Sequence, residues 1–208
     1  MSHLPTTPRT QAQRRRQRVG GDVAAINAVL DQSLVAHVGF VQDGAPFVLP
    51  TNAWRVDDGL YFHFARDGRF AQVLRGGAEI CAALSILDGL VLARSAMHHS
   101  VNYRSVMLFG RTTEIVDEAE KCRLLLALVD KVRPGRAARV RAPDAKELAA
   151  TALFRLPIAE GTVKMRQGPP EDRADDLALP VWGGVVPLAV VEGPAQPDGH
   201  VPAGMALD

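Results

Sequence analysis

Within residues 94–113, RSAMHHSVNYRSVMLFGRTT, the side chains of His98, His99, Asn102, Tyr103, Arg104 and Ser105 crowd the entrance to an apolar run with strand character. Polar groups held at the ends of regular elements are where sites tend to be built. An imidazole whose ordinary pKa lies near neutrality exchanges protons readily, so His98 and His99, with the Tyr103 phenol beside them, are the catalytic candidates. The guanidinium is a rigid fork suited to bidentate phosphate contact. Arg104, and Arg69 at the end of the RDGR loop, fit that role, with Asn102 and Ser105 able to hydrogen-bond a polyol. A second reading of Arg104, an ion pair with an acid on the sheet surface, fits the sequence equally well. No metal site is expected: adjacent residues on an extended strand face opposite ways, and no carboxylate-rich segment lies near His98 and His99 to complete a ligand set.

The elements that must position these residues read mainly as strands. Asp22 can cap a helix with Val23, Ile26, Val29 and Leu30 on one face. From Leu34 the pattern turns to short β-rich runs, LVAHVGFV, PFVLPTNAWRV and LYFHFA, separated by Asp43-Gly44 and Asp57-Asp58-Gly59, which are hairpin signals. RDGRFAQVLRGG reads as a short helix with Phe70, Val73 and Leu74 inward, ended by Gly76 and Gly77. Asp88-Gly89 reads as a further turn between strands, and Tyr103 to Val116 as one long strand. Asp117, with Glu120 three residues on, opens the clearest helix, striped by Cys122, Leu125, Leu126 and Val129. Pro143 to Ala150 reads as a short helix, and ALFRLPIA and TVKMR as late strands. Residues 1–21 read as a flexible basic arm, and residues 189–208 as a mobile tail. The LPVWGGVVPL segment is an apolar island that needs a partner surface.

The 208 residues, 47% hydrophobic and 23% charged, suit one substantial core. A net charge of +1 provides no field to gather nucleic acid or an anionic membrane; binding of nucleic acid through Arg14, Arg15, Arg16 and Arg18 ranks last among the functions considered. Cys81 and Cys122 are too few for a disulfide framework, no run approaches membrane-spanning length, and no apolar signal core opens the chain, so a cytoplasmic protein is the expectation. Dinucleotide, P-loop, zincin and serine-hydrolase motifs are absent.

The segments HVGFVQDGAPFVLP, LYFHFARDGR, LDGLVLARSAMHHSVNYRSVMLFG and VWGGVVPL, in that order, resemble the flavin-nucleotide-binding, nitroimidazole-resistance-related branch of the pyridoxamine 5′-phosphate oxidase-like superfamily. The resemblance covers roughly residues 14–188. It implies an α+β fold, an antiparallel six-stranded split β-barrel with peripheral helices over residues 22–188, forming a homodimer with FMN in the cleft between subunits. It further implies that Pro46, Val48, Leu49, Pro50 and Thr51 run along the flavin ring, that His63 and Phe64 end a strand beside it, and that Arg69 meets the phosphate. Arg104 and Ser105, beside Asn102, match positions holding the ribityl and phosphate, and Trp182 matches an aromatic reaching the cofactor from the partner chain. Gly68 stands where relatives usually carry Ser, and Phe70 where true oxidases carry Lys. No Arg-x-His pair follows Trp182, so pyridoxamine phosphate oxidation is not expected. The implied function is an FMN-dependent oxidoreductase acting on a small molecule, with His98 or His99 as proton donor or substrate anchor. The alternative is a carrier or sensor of flavin, deazaflavin or heme on the same fold.

Overall fold

The computed structural model describes residues 2–202, 204, 205 and 207. In chain order the elements are β1 (Val19–Gly20), α1 (Val23–Gln32), β2 (Val35–Gln42), β3 (Ala45–Asn52), β4 (Trp54–Val56), β5 (Gly59–Ala65), α2 (Arg69–Arg75), β6 (Glu79–Leu92), β7 (Ser100–Arg111), β8 (Thr113–Glu114), α3 (Glu118–Val132), α4 (Ala145–Ala150), β9 (Thr151–Pro157), β10 (Gly161–Arg166) and β11 (Gly184–Pro187). One sheet has the order β1-β10-β7-β6-β2-β3, with β11 also on β6; the other has the order β4-β5-β9-β8. Every pairing is antiparallel. The expected α+β class and split-barrel arrangement hold, with eleven strands rather than six because short strands extend the edges of both sheets.

Alternation explains which way each strand faces. Ala36, Val38 and Phe40 of β2 are buried while Val35, His37 and Val41 between them are exposed, and the register carries the same split across β6 and β7, where Leu84 pairs with Val106 and Ala82 with Leu108. These inner faces close on Ile26, Val29 and Leu30 of α1 and on Phe62 and Phe154 of the second sheet. Full burial of such side chains stabilises by about 1.5–3 kcal/mol each. A smaller cluster of Trp54, Tyr61, Leu124 and Leu153 packs beneath α3 on the other face of the second sheet.

Local chemistry sets the boundaries. The Asp22 carboxylate accepts from the Ala24 amide (3.1 Å) and starts α1. Asp117 accepts from the Glu120 amide (2.8 Å), but the Glu120 side chain turns to Arg123, so only half of the expected capping box forms at α3. The full box forms at α4 between Asp144 and Glu147. The β2–β3 hairpin turns at Asp43 and Gly44, both at positive φ, the primed geometry that matches strand twist and that Gly adopts without cost.

Three expectations meet a different structure. Asp88-Gly89 is no turn between strands: β6 runs through it for 14 residues, and the register slips between Leu87 and Gly89, making Asp88 the extra residue of a β-bulge. Pairing with β7 along almost its whole length outweighs the local turn signal. The N-terminal segment, expected as a flexible arm, lies against the barrel. There the Leu4 amide donates to the Gly21 carbonyl (2.8 Å), Thr7 donates to Glu160 (2.6 Å), and Arg9 bridges Glu79 (2.9 Å) and Glu160. The apolar island near Trp182 finds its partner in its own chain, since β11 pairs with Gly89 to Leu92 of β6. Beyond Pro187 the described residues form no helix or strand. Residues 203, 206 and 208 of the expected tail, and residue 1 of the arm, lie outside the described residues.

Candidate functional site

Of the resemblance-derived flavin positions, those on β3 and Arg69 lie together at one edge, whereas His63, the β7 residues and Trp182 lie elsewhere. β3, which carries Pro46, Val48, Leu49, Pro50 and Thr51, ends the larger sheet, and no further strand pairs with it among the described residues. An unpaired edge offers a row of backbone donors and acceptors. Inward from β3, Phe47 stacks on Phe40 (centroids 5.3 Å apart), which in turn meets Phe70 of α2 edge-on. Arg69, the first residue of α2, places its guanidinium over the Phe47 ring, 5.9 Å from the centroid. No carboxylate pairs with Arg69 among the described residues. Gly68 is the N-cap of α2 and supplies no side-chain cap. The exposed edge strand and the uncompensated cation therefore lie side by side, which suits a ligand with a polar ring edge and a phosphate.

His63 and Phe64 end β5 on opposite faces. Phe64 packs edge-on against Phe70, with its ring 4.4 Å away, as part of the main core. His63 sits 5.9 Å from Trp54 over the second cluster. Its Nδ1 is buried without a hydrogen-bond partner, and burial pushes the imidazole pKa down, keeping the ring neutral.

The residues at the start of β7 divide differently. Arg104 donates from Nε (2.9 Å) and Nη2 (2.7 Å) to the Asp88 carboxylate and from Nη1 to Gln32 Oε1 (2.8 Å). The guanidinium correspondingly pushes the Asp88 carboxyl below its ordinary value. Asn102 is buried. Its Oδ1 accepts from Arg166 Nη1, and its Nδ2 donates to the Gly168 carbonyl (3.2 Å). Ser105 donates to the Lys164 carbonyl (3.3 Å), and the Lys164 ammonium lies 5.9 Å from the Tyr103 ring centre. The acid pairing left open for Arg104 in the sequence is thus present, and Asn102 is occupied within the protein.

His98 closes a 3₁₀ turn, Ala96–His98, with a buried Nδ1 lacking a partner; His99 Nδ1 lies 3.0 Å from the Ser95 carbonyl. Both line a polar hollow of about 180 Å³ with Arg15, Arg18, Arg166 and Glu171. Arg15 and Arg18 are paired with Glu171 (3.1 and 2.8 Å). Trp182 is largely exposed just before β11, away from β3 in the strand order.

Two features escaped the sequence reading. Arg166 is 5% exposed and held by neutral acceptors, Asn102 Oδ1, Gly168 O (3.1 Å) and Pro169 O (2.9 Å). The other is a groove of about 700 Å³ where β2 and β6 splay apart, lined by His37, Val35, Ile86, Leu87, Arg104 and Leu188 among others.

Comparison with known proteins identifies the family and the fold. Residues 22–165 match the family model described as pyridoxamine 5′-phosphate oxidase. No curated protein matches. The fold is similar to the flavocytochrome Anf3 from Azotobacter vinelandii, at 41% identity over 97% of this chain and 94% of that one, with a TM-score of 0.90. It is also similar to an FAD and heme binding protein from Mycobacterium smegmatis, at 35% identity over 92% and 94% of the two chains, with a TM-score of 0.88. A putative 5-nitroimidazole antibiotic resistance protein from Bacteroides thetaiotaomicron shares the fold at 22% identity, over 70% of this chain and 85% of that one (TM-score 0.60). The chain belongs to the pyridoxamine 5′-phosphate oxidase-like split-barrel family.

Proposed function

We propose that this protein is a flavin- and heme-binding oxidoreductase with a small-molecule partner. The observation that carries the flavin half is Arg69, an arginine with no acid to neutralise it among the described residues, beside the unpaired edge of β3. Arg69 would hold the phosphate, and the backbone of residues 46–51 would meet the polar edge of the ring. Arg104, compensated by Asp88, contributes less to the phosphate than the family resemblance implies. The structure leaves FMN and FAD as two forms of one flavin ligand, and the relative named as an FAD and heme binding protein favours FAD. The heme half rests on the two relatives, at 41% and 35% identity, whose names include a cytochrome or heme. When bound, the flavin supplies hydride and electron transfer and the heme single-electron transfer. The chain's own work is binding, orientation and exclusion of water. His98 and His99, in a hollow rich in arginine, would anchor an anionic substrate or move its proton.

The protein would act as a homodimer. The sheet face turned away from the core presents Val41, Val48 and Met107, between 41% and 67% exposed, an uncovered apolar surface of the kind that marks an interaction site. A cleft closed by a second copy would shelter β3 and its ligand.

The test is the absorption spectrum of the purified protein, with the released flavin identified by chromatography and anaerobic addition of NADH or NADPH. A flavin doublet that bleaches, together with a Soret band, is the expected result. A colourless protein whose melting temperature does not respond to FMN, FAD or hemin would overturn the reading, because a ligand of the native state must raise its stability. A flavin that no reductant bleaches would favour a carrier.

A further inference from the structure

The larger sheet is split on one side of β6. β2 pairs with β6 only from Cys81 to Ala83, and β11 takes up that edge again at Gly89. Between them, residues 84–88 have no strand partner on that side, and the bulge at Asp88 turns the edge further. The resulting groove has walls of Leu34, Val35, Ile86, Leu87, Leu188 and Val190, and its volume of about 700 Å³ is in the range that buries a drug-sized or cofactor-sized ligand. Four of these walls, Leu34, Val35, Leu87 and Val190, are 44% or more exposed, which is costly for so many apolar side chains in one depression unless something fills it. The polar groups are few: Gln32, Ser33 and the Arg104–Asp88 pair at one end, the exposed Ser85, and the exposed imidazole of His37 on β2.

Apolar walls, one imidazole and a cation at one end are what a planar macrocycle with an iron centre and carboxylate substituents requires. The other histidines serve less well. His63 is enclosed beside Trp54 and lines none of the described cavities, and His98 and His99 share a polar hollow about a quarter as large. Cys81 and Cys122 cannot form the C-x-x-C-H sequence of covalent attachment, so the group would be held by coordination and packing alone. We propose that His37 is the axial iron ligand of a heme seated in the groove between β2, β6 and residues 188–190, with Arg104 at its carboxylate end. This assignment rests on the heme reading above and names its site. The candidate ligand lies next to the strand assigned to the flavin, because His37 and Pro50 are register partners on β2 and β3.

The test is titration of the full-length protein with hemin, followed by the Soret band in the ferric and dithionite-reduced states, for the wild type, His37→Ala, Leu87→Glu and His99→Ala. His37 is exposed and lies outside the hydrophobic core, so His37→Ala should keep the wild-type melting temperature and flavin content. It should weaken hemin binding by about a hundredfold and move the Soret band, and added imidazole should restore the wild-type spectrum. Leu87→Glu should weaken hemin binding with the band position unchanged, and His99→Ala should match the wild type. A wild-type protein that gives no Soret band overturns the heme reading and the assignment together. A wild-type band that His37→Ala leaves unchanged overturns only the assignment, and loss of the band in His99→Ala instead would move the ligand to the other hollow.

Discussion

Arg69 and Arg104 carry the same functional group and look equally suited to phosphate in the sequence, yet the fold treats them in opposite ways. Arg69 opens a short helix at the sheet edge, lies over Phe47 and meets no carboxylate among the described residues. Arg104 is locked by a bidentate bond to Asp88 and a third bond to Gln32. The difference originates one strand away: Asp88, the unpaired residue of the bulge in β6, lies within bidentate reach of Arg104, whereas nothing on β3 or α2 supplies an acid. An arginine left unsatisfied by its own fold is available to a ligand, and one already satisfied must first give up its acid. The same contrast separates the open β3 edge from the start of β7, where Asn102 and Ser105 also spend their hydrogen bonds internally.

Several perturbations should break or sharpen this contrast. The largest effect is expected at the open edge, where Val48→Asp puts a charge on the exposed apolar face. The dissociation constant of the proposed dimer should rise by about a hundredfold, measured by light scattering after size exclusion, with little change in the fold's circular dichroism. At the closed end, Asn102→Ala removes an acceptor from the buried Arg166 and should cost about 2–3 kcal/mol in urea unfolding. Asp88→Ala should cost about 1 kcal/mol, because that pair is still partly solvated, and should tighten phosphate-bearing ligands at Arg104. The smallest effect is that of His63. Burial lowers its folded-state pKa below the ordinary 6.5, so the unfolded chain takes up a proton first as the pH falls. This contribution is intact above about pH 6.5 and is lost through the interval down to the folded-state value. Thermal melts between pH 7.5 and pH 5, taken as approximate buffer choices, should show that loss in the wild type and a flatter profile in His63→Phe.

Much of the scaffold was legible because its signals are local. The caps at Asp22 and Asp117, the turn at Asp43-Gly44 and the helix stop at Gly76 each depend on a few neighbouring residues, and each forms where the sequence places it. The bulge at Asp88 was not legible, since the same Asp-Gly step opens hairpins elsewhere and only pairing with β7 decides that the strand continues. The packed N-terminal segment depends on ion pairs across some 150 residues, such as Arg9 with Glu160, which no local pattern records. For the candidate site, residue types indicated the chemistry, but which arginine is free depended on a carboxylate 16 positions away from Arg104 in the chain. The groove around His37 is a product of the split between β2 and β6, and the burial of Arg166 depends on Asn102, 64 positions away; neither has a signature in residue order.

The most direct test is calorimetric titration of flavin-stripped protein with FAD and with FMN, comparing wild type, Arg69→Ala and Arg104→Ala. Loss of a charge-assisted phosphate contact should weaken binding to Arg69→Ala by about a hundredfold, while Arg104→Ala stays within about threefold of the wild type. Equal losses at the two positions, or a larger loss at Arg104, would contradict the division between a free and a committed arginine.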